Sequence, residues 1–257
     1  MNNQFILNYT GSKYKETKEL DNINFDKYDV IIECFGGSYG FSRYLYKNKN
    51  FKNKKYIIYD NNKDLIDFYL YIQDSIKNDT FNDFIKVYND ECEYLVEHFR
   101  YKDDKKRLQG TLAKKYIIKL ENKYLKLMLL HNCVRGSFID SNPRYKLDKD
   151  FIEMFNNISF IYSDIINIDF NIYNKEKTLI YLDPPYLLEN NSFYNDISNM
   201  KVFYEKIMYL FENNKVLFIH SYNYLLDYVF EKYKYMEYKK KYGMSKKNVN
   251  HIVYYND

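Results

Sequence analysis

The chain contains 257 residues, of which 46% are hydrophobic and 29% are charged, a balance typical of a folded globular protein rather than a disordered one. Its net charge of +4 is only weakly basic, and its three widely spaced cysteines argue against a disulfide framework and against a zinc site. The absence of a membrane-spanning apolar run and of a signal peptide predicts a cytoplasmic protein (or, if viral, one of the host nucleus or cytoplasm) that is not secreted.

The first part of the sequence predicts two strands, each followed by a helix. An apolar strand over residues 29–35 is stopped by two glycines, and residues 40–46 then have helical spacing. A second strand over residues 55–60 ends on an acid, and a helix begins near residue 63. Strand and helix alternating at this spacing indicate a βαβ unit and a parallel sheet.

From residue 70 to residue 126 the sequence is highly charged and carries amphipathic helical patterns, such as residues 84–88 and 116–125. We interpret this stretch as a helical insertion. Further strands are predicted at 158–162, 178–182, 216–220 and 251–255, the last pairing after a basic turn around Gly243. The predicted architecture is an α/β core, residues 1–69 and 127–257, whose sheet has helices on both faces and which carries the insertion.

The strand at 178–182 is followed directly by Asp183-Pro184-Pro185-Tyr186. Neither proline can continue a strand, because each lacks an N–H and has a fixed φ, so the chain must leave the sheet in a stiff turn. Ligands bind at the carboxyl ends of strands in open α/β sheets. A carboxylate, a proline carbonyl and an aromatic face at that position suit a planar ring that bears an amine. An Asp-Pro turn with an incidental tyrosine is the alternative.

A second candidate element is the turn between the first strand and its helix, which contains Phe35, Gly36, Gly37 and Ser38. Glycines there allow a tight turn and close approach of a ligand, with helix N–H groups facing it, although a plain turn is equally consistent. Asp60 ends the next strand, roughly 20 residues further on, where an acid can accept hydrogen bonds from a ribose diol. These residues favour a nucleoside-containing ligand.

Three segments together resemble the Dam-type (α-group) DNA adenine methyltransferases. Residues 8–13 (Asn-Tyr-Thr-Gly-Ser-Lys) resemble the opening motif of that family, residues 33–37 resemble its S-adenosylmethionine loop, and residues 183–186 match its catalytic tetrapeptide. The order of cofactor loop, helical target-recognition insert and tetrapeptide is also the order in the family. Weaker similarities occur at residues 132–136, 163–164, 221–223 and 253–256.

The resemblance implies a Rossmann-like methyltransferase that transfers a methyl group from S-adenosyl-L-methionine to N6 of an adenine flipped out of double-stranded DNA. Asp183 and the Pro184 carbonyl would accept the amine hydrogens, Tyr186 would stack on the base, and Pro185 would complete the catalytic turn. The resemblance assigns cofactor binding to Tyr9, Lys13, Phe35, Gly36, Gly37, Ser38, Asp60 and Asp164, and it implies no metal. Asp164 as a helix N-cap, and Tyr9 with Lys13 as a surface pair, are the alternatives.

Basic clusters suggest where DNA would bind. Lysines concentrate at residues 47–55, 102–123 and 239–247, and basic clusters interleaved with aromatics suit a polyanion, although a solvated face is the alternative for each. For DNA contact we expect the last two clusters together with Arg135 and Arg144, lysines meeting phosphates and an arginine reading a base edge. A restriction or other protein partner stays open.

Two positions depart from the family pattern: Tyr39 stands where another glycine is usual, and Cys34 stands where a proline is usual. A bulky Tyr39 could crowd the cofactor or cover it. The alternative to a DNA methyltransferase is therefore a catalytically degenerate scaffold that binds nucleic acid or activates a partner. Action on cytosine N4 or on RNA is a further alternative, since the tetrapeptide demands only an exocyclic amine.

Overall fold

The structure is a computed structural model that describes residues 6–8, 13–49, 51–99, 109–135, 138–139, 145, 149–185, 199–241 and 248–256. The chain forms two compact units. The helical unit comprises Met1–Ser12 and Asp67–Asn156, and the sheet unit comprises Lys13–Ile66 and Asn157–Asp257. The predicted insertion, residues 70–126, lies inside the helical unit, which extends beyond it to residue 156.

Strands within the described residues form one large sheet and one small one. The large sheet has seven strands in the order β5-β2-β1-β6-β7-β9-β8, and the small one pairs β3 with β4. The strands are β1 (Val30–Cys34), β2 (Lys55–Asp60), β3 (Val134–Arg135), β4 (Phe138–Ile139), β5 (Ile158–Tyr162), β6 (Thr178–Leu182), β7 (Lys215–Ser221), β8 (Lys234–Lys241) and β9 (Asn248–Tyr255).

The large sheet is mostly parallel. Strands β5, β2, β1, β6 and β7 pair in parallel, whereas β9 pairs antiparallel with both β7 and β8. The protein is therefore an α/β protein with a mostly parallel sheet, as the βαβ pattern predicted, and this sheet is compatible with a Rossmann-like fold.

The described residues contain eight α-helices, none of which is long and apolar enough to cross a membrane. Most of them belong to the helical unit, while α1, α7 and α8 belong to the sheet unit. The helices are α1 (Gly40–Asn48), α2 (Lys63–Lys77), α3 (Phe81–Phe99), α4 (Gln109–Ile117), α5 (Lys123–Asn132), α6 (Lys149–Asn156), α7 (Met200–Asn213) and α8 (Tyr224–Phe230).

The central strands of the sheet unit are buried on both faces, which explains their continuous apolar sequences. Ile180 of β6 belongs to a core cluster that includes Phe203 and Ile207 of α7. The next residue, Tyr181, points to the opposite face, where its ring stacks on Phe41 of α1 with centroids 4.0 Å apart. Helices therefore cover both faces of the sheet, as expected.

One helical prediction is wrong. The pattern over residues 116–125 does not form a continuous helix, because α4 ends at Ile117 and α5 begins at Lys123. The Asn122 side chain accepts hydrogen bonds from the backbone N–H groups of Tyr124 and Leu125, both at 3.0 Å, and so caps the second helix. Apolar residues from two short helices had the spacing of one long helix.

The amide of Asn132 fixes the described part of the N-terminal segment within the helical unit. Its Nδ2 donates to the Ile6 carbonyl at 2.8 Å, and its Oδ1 accepts from the Asn8 backbone N–H at 2.7 Å. Asn132 is buried, so these bonds satisfy an amide that would otherwise be costly to bury. Asn8 and Asn132 come from two of the segments on which the family resemblance was based, and they lie in contact.

Candidate active site

The turn after β6 and the turn after β1 leave the sheet side by side. The two strands pair in parallel with Cys34 opposite Leu182, so Phe35 and Asp183 emerge at the same edge. All five residues of β6 are buried, and the strand ends at Leu182, directly before Asp183-Pro184-Pro185. The sheet thus brings together two of the three segments that the sequence singled out.

Lys13 adds the third segment. Its Nζ lies 2.6 Å from Asp183 Oδ2, and the two side chains are only 7% and 14% exposed. The residues are 170 positions apart in the sequence. The resemblance assigned Lys13 to cofactor binding, and in the structure its ammonium group contacts the first residue of the tetrapeptide.

Both members of this ion pair have shifted pKa values. Burial raises the pKa of Asp183, and the Lys13 ammonium opposes that effect. Burial alone would lower the pKa of Lys13, but the charges of Asp183 and Glu16 outweigh it and raise the pKa above its ordinary value. An ionised carboxylate is a pure acceptor with two oxygens, and Lys13 occupies Oδ2 in this arrangement.

The turn from Phe35 to Tyr39 has an unusual backbone. Phe35, Gly37 and Tyr39 all have positive φ values of 59°, 47° and 44°, a conformation that glycine adopts at little cost and other residues rarely adopt. The Gly36 N–H donates to the Tyr59 carbonyl at 3.0 Å, which lays the turn against β2.

Gly36 also has a packing role that the sequence did not predict. A Cβ at this position would lie 2.2 Å from Cγ2 of Ile58, so glycine is required for close packing on β2.

The helix N–H groups that were expected to face a ligand are bonded to Glu33. Tyr39 provides no side-chain cap for α1. The buried carboxylate of Glu33 instead accepts from the backbone N–H groups of Ser42 at 2.9 Å and Phe41 at 3.3 Å. Burial raises the pKa of Glu33 to about 7, against the effect of the Ser42 and Phe41 hydrogen bonds. The sequence analysis placed Glu33 at the start of the segment that resembles a cofactor loop but assigned it no role of its own, and this cap was not predicted.

Asp60 holds the turn from the other side. Its Oδ2 accepts from the Gly37 backbone N–H at 2.9 Å, and its Oδ1 accepts from that of Asn62 at 2.8 Å. Burial raises the pKa of Asp60, and these two hydrogen bonds oppose that effect. Each oxygen retains a lone pair, so the carboxylate can still accept a bond from a ligand hydroxyl.

Ser38 provides a further polar group in the same turn. Its side chain is only 3% exposed, and its hydroxyl has no hydrogen-bond partner among the described residues. A buried hydroxyl without a partner is unfavourable, so this group is suited to bond a ligand or an ordered water. The residues of the turn therefore fit a ligand that carries several hydroxyl or amine groups.

The ring of Tyr39 does not stand in an open space. It is 1% exposed and packs edge-to-face on Phe160 of β5, with centroids 5.7 Å apart. Its backbone is left-handed, a conformation that favours glycine. Of the two expectations for Tyr39, crowding or covering the cofactor, the buried packing on Phe160 supports neither.

Asp164 caps a short helix, which was the alternative to cofactor binding in the sequence analysis. It precedes a 3₁₀ turn, Ile165–Asn167, and its Oδ1 accepts from the Ile166 N–H at 3.1 Å. Nearby, the Ser163 N–H donates to the Asp60 carbonyl at 3.1 Å, which links this segment to the end of β2.

Several predicted residues lie outside the described part of the chain: Tyr9, Tyr186, Arg144 and the turn around Gly243. The basic cluster at 102–123 is described only from residue 109, where Lys114, Lys115 and Lys119 are exposed. Arg135 forms half of the two-residue strand β3.

At one edge of the sheet, this α/β protein thus brings together a buried ion pair and two turns that are both hydrogen-bonded to Asp60. No protein-family model matches the chain, and no curated protein matches it. The interpretation of the site therefore depends on its own residues and geometry.

Proposed function

We propose that the protein is an S-adenosyl-L-methionine-dependent, adenine-specific DNA methyltransferase that modifies N6 of a flipped base. The observation that carries this proposal is the contact between Lys13 and Asp183 at the carboxyl edge of the sheet. It joins the opening motif to the tetrapeptide across 170 residues. The turn that follows β1 begins at the same edge, which is where α/β proteins bind ligands.

The proposed work of Asp183 and Pro184 is to accept hydrogen bonds. The amine of adenine is a poor nucleophile because its lone pair is delocalised into the ring. Two acceptors placed on its hydrogens favour a tetrahedral nitrogen and localise the lone pair, so that positioning and electrostatics provide the rate enhancement. The base must leave the duplex to reach a carboxylate that is only 14% exposed, and Tyr186 would stack on it there.

The cofactor would be held by the turn after β1 and by the acid after β2. The Asp60 oxygens have lone pairs available for ribose hydroxyls, and the Ser38 hydroxyl is buried without a partner among the described residues. Phe35, Gly36 and Gly37 shape this turn, and Tyr9, Lys13 and Asp164 complete the proposed set. S-adenosyl-L-methionine would supply a methyl group on a sulfonium, which an amine can take in a single displacement.

A second candidate function is supported by the same ion pair. A buried ion pair can also hold two segments together without any catalysis, as it would in a nucleic-acid-binding or partner-activating scaffold. Action on cytosine N4 or on RNA would use the same acceptors. By analogy with the family, an Asp rather than a Ser before the two prolines favours adenine.

Two measurements on the purified protein distinguish these functions. Calorimetric titration with S-adenosylhomocysteine should release heat, and incubation of long mixed-sequence DNA with S-adenosyl-L-methionine should give N6-methyladenine at mapped sites. Absence of binding heat, or binding heat without any modified base, would favour the scaffold. Modified cytosines, or modification of RNA alone, would reassign the substrate.

A further inference from the structure

A second carboxylate lies behind the Lys13–Asp183 ion pair. Glu16 follows Lys13 in a tight turn in which the backbone N–H groups of Glu16 and Thr17 donate to the Lys13 carbonyl at 3.0 and 2.9 Å. The Thr17 hydroxyl donates to the same carbonyl at 2.8 Å. The Glu16 side chain is only 11% exposed. The backbone therefore fixes the position of Glu16 relative to Lys13.

Strand β8 holds the Glu16 carboxylate. The Tyr238 hydroxyl donates to Glu16 Oε2 at 3.0 Å, and Lys240 Nζ donates to Glu16 Oε1. Tyr238 and Lys240 are two residues apart on the strand and so point to the same face. Four charges of alternating sign result: Asp183, Lys13, Glu16 and Lys240.

We propose that Glu16 and Lys240 are positioning residues that act on Asp183 through Lys13, so that the hairpin of β8 and β9 sets the charge of the reactive carboxylate. This inference rests on the proposed function, because the charge of Asp183 matters for catalysis only if Asp183 acts in methyl transfer. The effect of Glu16 and Lys240 on the titration of Asp183 can be measured without any activity. Both residues lie behind Lys13 and neither carries a role in the family resemblance.

The signs of the two effects are opposite. The negative charge of Glu16 raises the pKa of Asp183, whereas the positive charge of Lys240 lowers it. Burial is the largest cause of the raised pKa of Asp183, so loosening of the structure would lower that pKa in any variant. The predicted rise in Lys240→Met is therefore the result that loosening cannot produce.

Other titratable groups surround these four charged residues, and none of them is mutated in the test. Burial lowers the pKa of His220 to about 4 and that of His251 to about 3, so both are neutral near pH 7. The groups that act on Asp183 or Lys13 from the packed elements are Glu16, Glu33 of β1, Tyr181 of β6, His220 of β7, Tyr238 and Lys240 of β8, and His251 of β9.

The test is a pH titration of the Asp183 side-chain carboxyl by ¹³C NMR, with the resonance assigned from the Asp183→Asn variant. Glu16→Gln should move the titration midpoint to lower pH, and Lys240→Met should move it to higher pH. The double variant should lie between the two single variants, because the removed charges oppose each other.

Matched controls are available on the same elements. Glu19→Gln removes an exposed acid three residues from Glu16, and Lys239→Met removes an exposed lysine next to Lys240 on β8. Both should leave the midpoint of Asp183 unchanged. The proposal is overturned if the two test variants leave the midpoint unchanged or move it in the same direction.

An activity measurement distinguishes this inference from the proposed function. If the protein methylates DNA, the acidic limb of the kcat/KM profile should follow the NMR midpoints in sign, and kcat of Glu16→Gln should fall about tenfold with unchanged affinity for S-adenosylhomocysteine. Absence of methylation by the unaltered protein would refute the proposed function, while the NMR shifts would still decide the role of Glu16 and Lys240.

Discussion

Replacement of Gly36 by alanine tests the packing that positions the turn after β1. The new Cβ would lie 2.2 Å from Ile58 Cγ2, which is more than 1 Å inside an ordinary carbon–carbon contact of about 3.5 Å. Neither side can yield easily, because Ile58 is fully buried in β2 and Gly36 is bonded to the Tyr59 carbonyl. The turn must therefore move away from the strand.

Overpacking of this kind costs about 1–3 kcal/mol, which corresponds to a fall of roughly 3–9 °C in melting temperature for a domain of this size. Displacement of the turn would also lengthen or break the hydrogen bond from the Gly37 N–H to Asp60, which is 2.9 Å long. Thermal unfolding followed by circular dichroism measures the loss of stability. Calorimetry with S-adenosylhomocysteine measures any loss of ligand affinity that follows from displacement of the turn.

The control is Ile58→Leu, which nearly conserves volume but removes the methyl group on Cβ that the alanine would meet. In a double-mutant cycle, Gly36→Ala should cost clearly less in the Ile58→Leu background than in the native one. Equal costs in the two backgrounds, or an unchanged melting temperature for Gly36→Ala, would refute this account of Gly36.

Two further predictions concern the acids of the site. Asp60→Asn leaves one acceptor oxygen for the two N–H groups that the carboxylate now holds, so the dissociation constant for S-adenosylhomocysteine should rise about tenfold in calorimetry; unchanged affinity would remove Asp60 from the site. Burial raises the pKa of Glu33 from 4.5 to about 7, so the protonated form favours the folded state below pH 4.5 and that contribution is lost as the pH rises to about 7. The free energy of unfolding of the unaltered protein, minus that of Glu33→Gln, should therefore fall by roughly 3 kcal/mol across this window in urea titrations, whereas a constant difference would contradict the shifted pKa.

The sheet was largely predictable from sequence. Strands β2, β5 and β6 have the predicted bounds, because buried parallel strands are apolar runs bounded by polar or turn-forming residues. Strand β1 is one residue shorter at each end than predicted, since Phe35 already has a left-handed backbone. The break between α4 and α5 was missed because a single capping residue, Asn122, interrupts a spacing that fits one helix.

The site was only partly predictable. The positions of Asp60 and Asp183 follow from local rules, since each acid ends a strand and parallel strands end at the same edge. The partner of Lys13 could not be read from local pattern, because the contact spans 170 residues. The cap that Glu33 gives to α1 and the contact of Gly36 with Ile58 could not be predicted either, because each joins two different elements of the fold.

The most direct test of the central claim compares the unaltered protein with Asp183→Ala. Both are incubated with unmethylated DNA and S-adenosyl-L-methionine carrying a labelled methyl group, and both are titrated with S-adenosylhomocysteine. The account predicts label on adenine N6 with the unaltered protein, none with the variant, and similar heats of binding for both, because Asp183 would accept hydrogen bonds from the base. Methylation by the variant at a normal rate would contradict the role assigned to Asp183, and no label with either protein would contradict the proposed function.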